Sequence, residues 1–427
     1  MIHRFDVIVI GGGAAGFYAA FAAVDTGASV LVLERQRECL RKFAAAGNGR
    51  CNLGNREPSS DRYHMVAETD DGRTRLERAL RKVTPQDLET FYDRLGVPLT
   101  TDHAGRIYPY CEEGNAVREV LIAAAKARGV VIRNEVNVHT IKTTADGFTV
   151  EVYSKLPEFS EPNPPRVEAR SVILACGSNA APGLGGKGAY ELAEQQQLTL
   201  TPTRYALCPL ILGNTAFLKK VAGTRFNGAA RISENGTPLI ASTGEFLFAK
   251  DGISGIAGME LARAARPDAE QSLEIDFFPA YTHDELHTVI ANKLAAADLD
   301  SAVLRKVCPD ILTGLFRHKL AVGLAGVFSD RYAANTLIDD RLIGDLTTFL
   351  KDFRLPVCGI RGAAAAQVVA GGVRLDELTE DFAVKSSPGL YLAGELIDVD
   401  GDTGGFNLHW AFVSGTLAGI AASGYNR

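Results

Sequence analysis

The chain opens on an apolar run that does not alternate with polar residues: FDVIVI, Phe5 to Ile10, is broken only by Asp6. A β-branched run of this kind fits a strand covered on both faces. The glycine cluster GGGAAG follows, and FYAAFAAVDTG then predicts a helix. ASVLVLE is a second buried strand, ending in Glu34. RSVILACG repeats the buried pattern and leads through a small-residue turn into another glycine-rich helix entry. Before it, GVVIRNEVNVHTIKTTADGFTVEVYSK reads as a strand entering an antiparallel hairpin, with Asp146-Gly147 as its turn. From about Glu191 to Asp352 the pattern changes. Strand signals in LTPTRYALCPLIL, GAARISENGTPLIAS (hairpin turn at Asn235-Gly236) and GEFLFA precede helical stretches in THDELHTVIANKLAAAD and SAVLRKVCPDILTGLFRHKLAVGL. Near the end, Leu390 to Ala393 forms a strand, followed by an acidic glycine-rich loop and a long small-residue helix starting near Gly405 to Asn407.

The order strand, glycine cluster, helix, strand, acid is specific. Gly11, Gly13 and Gly16 fit G-x-G-x-x-G: the first glycine permits the tight turn, the second lets backbone approach a pyrophosphate, and the third lets the helix pack on the strand. Ala14 and Ala15 complete that turn. Glu34, followed by Arg35, stands where an acid accepts hydrogen bonds from an adenosine ribose. These residues predict an α/β fold with a Rossmann-like dinucleotide site. Its crossover strand would bring Ala175 and Gly177 to the cofactor, with the backbone near Val136 beside the adenine.

The C-terminal segment points to FAD. In flavoproteins of the two-dinucleotide-binding type, a late strand ending in Gly plus an acid, here Gly394 and Glu395, holds the ribitol. The next helix, with Gly405, Phe406 and Asn407 at its start, points its N-terminus at the flavin pyrimidine edge. Unpaired amides and the helix dipole favour the negative charge of a reduced flavin.

GGGAAG, GNGRCN, GRIYP (105–109), GEFLFAKDGISG (244–255), AGGV (370–373) and GLYLAGELIDVDGDTGGFNLHWAF resemble the YhiN-like (BaiN-like) NAD(P)/FAD-dependent oxidoreductases. Asn48 stands where that pattern has Gly, Tyr108 where Phe is usual and His409 where Gln is common. The resemblance implies a discontinuous FAD domain, 1–190 with 353–427, and an inserted β-barrel and helical cap at 191–352 that closes over the flavin and shapes a substrate cleft. In such a fold the loop AAGNGRCNLGN runs along the pyrophosphate and past the flavin. Lys42 would offset phosphate charge, and Gly47 and Gly49 would allow close backbone approach. Arg50, Cys51 and Asn52 would face or buttress the ring system. The competing readings are a structural ion pair for Arg50 and a small packing group for Cys51.

The chain has 427 residues, enough for two or three domains, and a formal net charge of -6. That balance, without a basic stripe, argues against nucleic acid or an acidic membrane as partner, leaving a small-molecule substrate. Seven cysteines without a C-x-x-C pair read as reduced thiols in a cytoplasm. His283 and His287 in HDELH sit near a zinc pattern, but Thr282 and Glu285 make a capping box, so no metal is expected. TPQD, Thr84 to Asp87, is a helix start with proline first. PEFSEPNPP reads as an exposed loop.

FAD supplies the difficult chemistry and the protein supplies position and electrostatics. The expected reaction is hydride transfer between flavin N5 and a small organic molecule. The resemblance includes a bile-acid reductase, which suggests reduction of a C=C conjugated to a ketone. Such a step needs a donor or cation for the carbonyl and an acid for the α-carbon. The candidates are Arg50, Arg106, Tyr108 and His409, the last of which also reads as a packed helix residue. With a single dinucleotide fingerprint, NADPH or NADH would act as a transient donor. The alternative is a flavin-binding redox sensor with little turnover.

Overall fold

The computed structural model describes residues 4–424 except 155, 157–164, 186, 187, 267 and 297–301, so most of the proline-rich PEFSEPNPP stretch lies outside the described residues. The chain divides into two compact units, one formed by Met1–Tyr205 with Gln367–Arg427 and the other by Ala206–Ala366. The sequence reading had set its insertion at 191–352.

The first unit is an α/β sandwich. Its sheet runs in the order Val131–Arg133, Val30–Leu33, Arg4–Ile10, Arg166–Leu174, Gly147–Ser154, Val136–Thr144. Arg4–Ile10 pairs parallel with both neighbours, Ile10 standing opposite Leu33 and Leu174. Val7 to Ile10 are buried, as a strand covered on both faces requires. On its other edge Arg166–Leu174 serves two partners. Its first half pairs antiparallel with the Gly147–Ser154 strand and its last three residues pair parallel with Leu390–Leu392. The hairpin pairs Thr144 with Gly147, so the turn is Ala145-Asp146, one residue earlier than Asp146-Gly147. Gly147 begins the returning strand because it abuts its neighbour: a Cβ there would lie 2.1 Å from the Ala169 carbonyl oxygen.

The helix Ala14–Asp25 packs along the C-terminal helix Phe406–Gly424. Gly415 and Gly419 make the approach possible, since Cβ atoms on them would lie 2.5 Å from Ala15 O and 2.3 Å from Ala19 O. Helix Pro85–Arg94 starts as expected, with a reciprocal Thr84–Asp87 capping box and proline in its first turn.

The second unit holds a closed barrel of strands Leu210–Leu212, Gly252–Ser254, Thr237–Ala249, Arg225–Glu234, Gln271–Asp276 and Phe353–Ile360. Asn235 and Gly236 both have positive φ, as a two-residue hairpin turn needs. PLIAS and GEFLFA, separate in the sequence pattern, are one strand. Phe226, Phe246, Phe248, Phe277 and Phe353 pack together in this unit. Phe353 belongs to the barrel's last strand, which lies past residue 352. The helices are His283–Ala296, Leu304–Leu312, His318–Ser329 and Asp340–Lys351. The long helical stretch after residue 301 is therefore two helices, separated at Thr313–Arg317. Thr282 and Glu285 form the expected capping box, His283 and His287 reach Thr348 and the Asp340 carbonyl, and no metal-binding cluster occurs among the described residues. No described helix is long and apolar enough to cross a membrane.

Two glycines give opposite expectations. Gly344 lies inside helix Asp340–Lys351 with open space where a Cβ would sit, so Gly344→Ala should raise stability by about 0.5–1 kcal/mol. Gly419→Ala should lower it by about 1–3 kcal/mol through overpacking. Urea unfolding of both variants checks the helix-pair geometry.

Candidate active site

The glycine motif has the geometry that its sequence implies. Gly11 has φ +110, and a Cβ on it would lie 2.3 Å from Ala175 O. One on Gly16 would lie 2.0 Å from Gly11 O. Gly13 differs: nothing lies within 4 Å of its Cβ position, and it starts the Ala14–Asp25 helix without any side-chain cap. The first-turn amides of Ala14, Ala15 and Gly16 therefore adjoin open space at a positive helix end, a site suited to a phosphate. Glu34 is held by the Gly12 amide at 2.8 Å on one carboxylate oxygen and the Gln36 amide at 2.7 Å on the other. The Val136 amide donates to the Glu34 carbonyl, and its side chain is buried. Arg35 donates to the Gly185 carbonyl.

Lys42 pairs with Glu395 at 2.6 Å rather than standing alone, and Ser178 Oγ donates to the same oxygen at 3.3 Å. Gly177 backs this carboxylate: a Cβ there would lie 3.9 Å from it. Gly394 is fixed from behind, its amide donating to Ser414 Oγ and its carbonyl accepting from Trp410 Nε1. The AGGV segment braces the same loop, with Val373 N donating to Leu396 O and Asp398 N to Val373 O. Asp398 in turn accepts the Val66 and Ala67 amides, and burial pushes its carboxyl above the usual range.

Four of the six residues of the GNGRCN turn are left-handed: Gly47, Asn48, Gly49 and Cys51 have φ of +59, +58, +86 and +60. Asparagine tolerates that region better than most side chains, which explains why Asn48 can replace a glycine. The turn brings candidates together. Arg50 lies over the Tyr108 ring at 4.4 Å and makes a two-pronged ion pair with Glu112. A Cβ on Gly47 would lie 3.8 Å from Tyr108 and 3.2 Å from Asn52 N, and one on Gly405 would lie 2.6 Å from Asn52 Oδ1. Asn52 is 8% exposed, and its Oδ1 has no partner. At the start of the last helix, Asn407 clamps Gly401 through both its amide and its carbonyl. Asn55 Nδ2 holds the Gly404 and Ala104 carbonyls, and the Phe406 ring packs on Tyr63.

For two residues whose role the sequence leaves open, the surroundings are informative. The Cys51 thiol is fully buried, bonds to Phe43 O at 3.5 Å, and burial raises its pKa, an environment that fits the small packing group of the competing reading. His409 is likewise enclosed, with neither ring nitrogen partnered, against Gly54, and burial pulls its pKa down to about 4. A neutral, enclosed imidazole is a poor source of protons at neutral pH. Arg106 pairs with Asp102 at 3.2 Å. The sequence reading missed Glu112, and it missed His64, whose Nε2 lies 2.7 Å from Asp402 Oδ1 just before the Gly404-Gly405 pair.

The residues fit FAD: an uncapped helix end at an open glycine, an acid held by two amides, and an orphaned acceptor on Asn52. The chain matches the HI0933-like protein Rossmann domain over residues 5–421. It belongs to that family. The family consists of Rossmann-type, FAD-dependent oxidoreductases. The 3-dehydro-bile acid delta(4,6)-reductase of Clostridium scindens is 33% identical over 97% of this chain and 98% of its own. The ribosomal RNA dihydrouridine synthase of Escherichia coli is 27% identical over 97% and 96%. Among solved structures, the 3-ketosteroid-delta4-(5alpha)-dehydrogenase of Rhodococcus jostii RHA1 aligns over 99% of this chain and 97% of its own, with 17% identity and a TM-score of 0.49. The exclusion of nucleic acid drawn from net charge loses its support, because a family relative of matching length carries an RNA-directed name.

Gly13→Val should fold with unchanged stability as apoprotein yet fail to retain FAD, whereas Gly16→Val should lose folded protein. Flavin absorbance per mole of protein and thermal melting of the apoproteins distinguish the two. For His409 the folded pKa lies below the ordinary value of 6.5, so the unfolded chain binds the extra proton. Stability should therefore fall as pH drops from 6.5 toward 4, by up to about 1.4 kcal/mol per pH unit. His409→Gln should remove that slope in urea titrations.

Proposed function

We propose that this protein reduces a C=C bond conjugated to a carbonyl, using NADPH or NADH as electron source. The observation that carries the reading is the Arg50–Tyr108 pair at the GNGRCN turn, beside Asn52 with its unpartnered acceptor. When bound, FAD supplies the hydride. It would be held by the first-turn amides after Gly13, by Glu34 at the ribose, by Glu395 with Lys42 at the ribitol, and by the start of the Phe406–Gly424 helix.

The remaining work falls to side chains of this chain. Hydride addition to the β-carbon leaves negative charge on the carbonyl oxygen, and a proton must then reach the α-carbon. Arg50 and Tyr108 supply hydrogen-bond donors for that oxygen. Arg106, paired to Asp102, has a weaker claim to the same role. For the proton, the His64–Asp402 pair replaces His409 as the candidate: its imidazole is half-buried and oriented by a carboxylate at 2.7 Å, and Arg62 lies 3.6 Å from the other Asp402 oxygen.

The two kinds of relative share this chemistry. The Clostridium scindens relative is named for reducing a bile-acid derivative, and dihydrouridine is uridine whose ring C=C, conjugated to a carbonyl, has been saturated. A second reading, with a uracil base as substrate, is favoured by the RNA-directed names and by Tyr110, 74% exposed and two residues past Tyr108. The higher identity supports the small polycyclic enone first.

Anaerobic mixing of the FAD-loaded protein with NADPH or NADH should bleach the flavin, and a Δ4-3-ketosteroid should restore its colour. Recovery with uridine-containing RNA alone would select the second reading. A flavin that neither donor bleaches would favour a sensor. His64→Asn should slow recovery about 100-fold without changing the rate of bleaching.

A further inference from the structure

The Arg50 guanidinium is held on two sides. Nε and one Nη donate to the two carboxylate oxygens of Glu112, at 3.1 Å for Nε, and its flat face covers Tyr108 at 4.4 Å. Both charged side chains are about half exposed, at 48% and 47%. An ion pair this open to water adds little to stability, so stability alone does not account for it.

Two further facts set the pair apart. Glu112 sits at φ +51, a left-handed conformation that strains a residue with a Cβ and that glycine would adopt freely. It is fixed there by a turn in which its amide donates to Pro109 O at 2.9 Å. The carboxylate also occupies the side-on Nε/Nη fork of Arg50 and offsets its charge, leaving the end-on Nη hydrogens for a ligand. Nearby, Asp102 engages Arg106 Nε at 3.2 Å. Arg50 and Arg106 therefore each already have a carboxylate partner.

We propose that Glu112 is a specificity-determining residue: by neutralising Arg50 and setting its own negative charge beside the remaining Nη hydrogens, it leaves those hydrogens to an uncharged carbonyl and repels ligands that present a carboxylate to this position. This rests on the reading of Arg50 as the carbonyl-holding group. The chemical class admitted is a neutral ketone, enone or cyclic imide, and the class rejected is a planar carboxylate.

Calorimetric titration of the FAD-loaded protein with benzoate, and with benzamide as its uncharged counterpart, tests the proposal. Glu112→Gln, at an exposed position, should bind benzoate at least tenfold more tightly than the wild type while its benzamide affinity changes less than threefold. The gain should vanish in Arg50→Met/Glu112→Gln. An unchanged benzoate affinity in Glu112→Gln, an equal gain for benzamide, or a gain that survives loss of Arg50 would each overturn it. If benzoate behaves as expected but no enone restores the bleached flavin, the fork assignment stands and the enone reading falls.

Discussion

The structure of the first unit depends on one close approach of backbone to backbone. Gly11 lies against the end of strand Arg166–Leu174, and Gly16 lies against Gly11, with room for no Cβ on either. These contacts set the distance between two parallel strands and the helix that leaves them, and they aim that helix's uncapped end at open space beside Gly13. A second set of close contacts, at Gly415 and Gly419, seats the C-terminal helix on the same helix. The acidic loop before it arrives beside Ala15, which a Cβ on Gly394 would crowd at 2.8 Å. Small residues thus do more than permit turns here: they hold in register the elements that carry the charged groups.

Much of this was legible because it is written in short-range patterns. Unbroken β-branched runs marked the central strands, glycine spacing marked the dinucleotide turn, and Thr84 and Thr282 announced helix starts. What stayed hidden was set by partners far away in the chain. Nothing in YCEEG says that Glu112 reaches Arg50, or in RYHM that His64 meets Asp402, since each pairing depends on how strands Gly54–Asn55 and Tyr63–His64 are laid against later segments. Cys51 and His409 stayed open between chemistry and packing for a related reason. Both lie in motifs rich in functional types, yet burial assigns them to packing, and burial is a property of the assembled fold. The single-residue shift of the hairpin turn follows from Gly147 being needed against Ala169 rather than at the turn.

The charged groups around the site are largely neutralised in pairs. Lys42 meets Glu395, Arg50 meets Glu112, Arg106 meets Asp102, and His64 and Arg62 meet Asp402. Local pairing of this kind orients each side chain without building a strong field of one sign, which suits a site that handles an uncharged reacting group. It also explains why a mild net charge says little about partners: the sum over the chain does not describe any one face.

Strand Arg166–Leu174 has a consequence for how the molecule is made. Its last three residues pair with Leu390–Leu392, so the sheet keeps an unpaired edge at its centre until nearly the whole chain has left the ribosome. The barrel unit, whose residues all fall between the two partners, is synthesised in that interval and can fold while the edge waits. Completion of the nucleotide-binding unit is thereby tied to the arrival of Leu390–Leu392, and a chain cut short before residue 390 would present an exposed parallel edge to other nascent chains instead of a finished sheet.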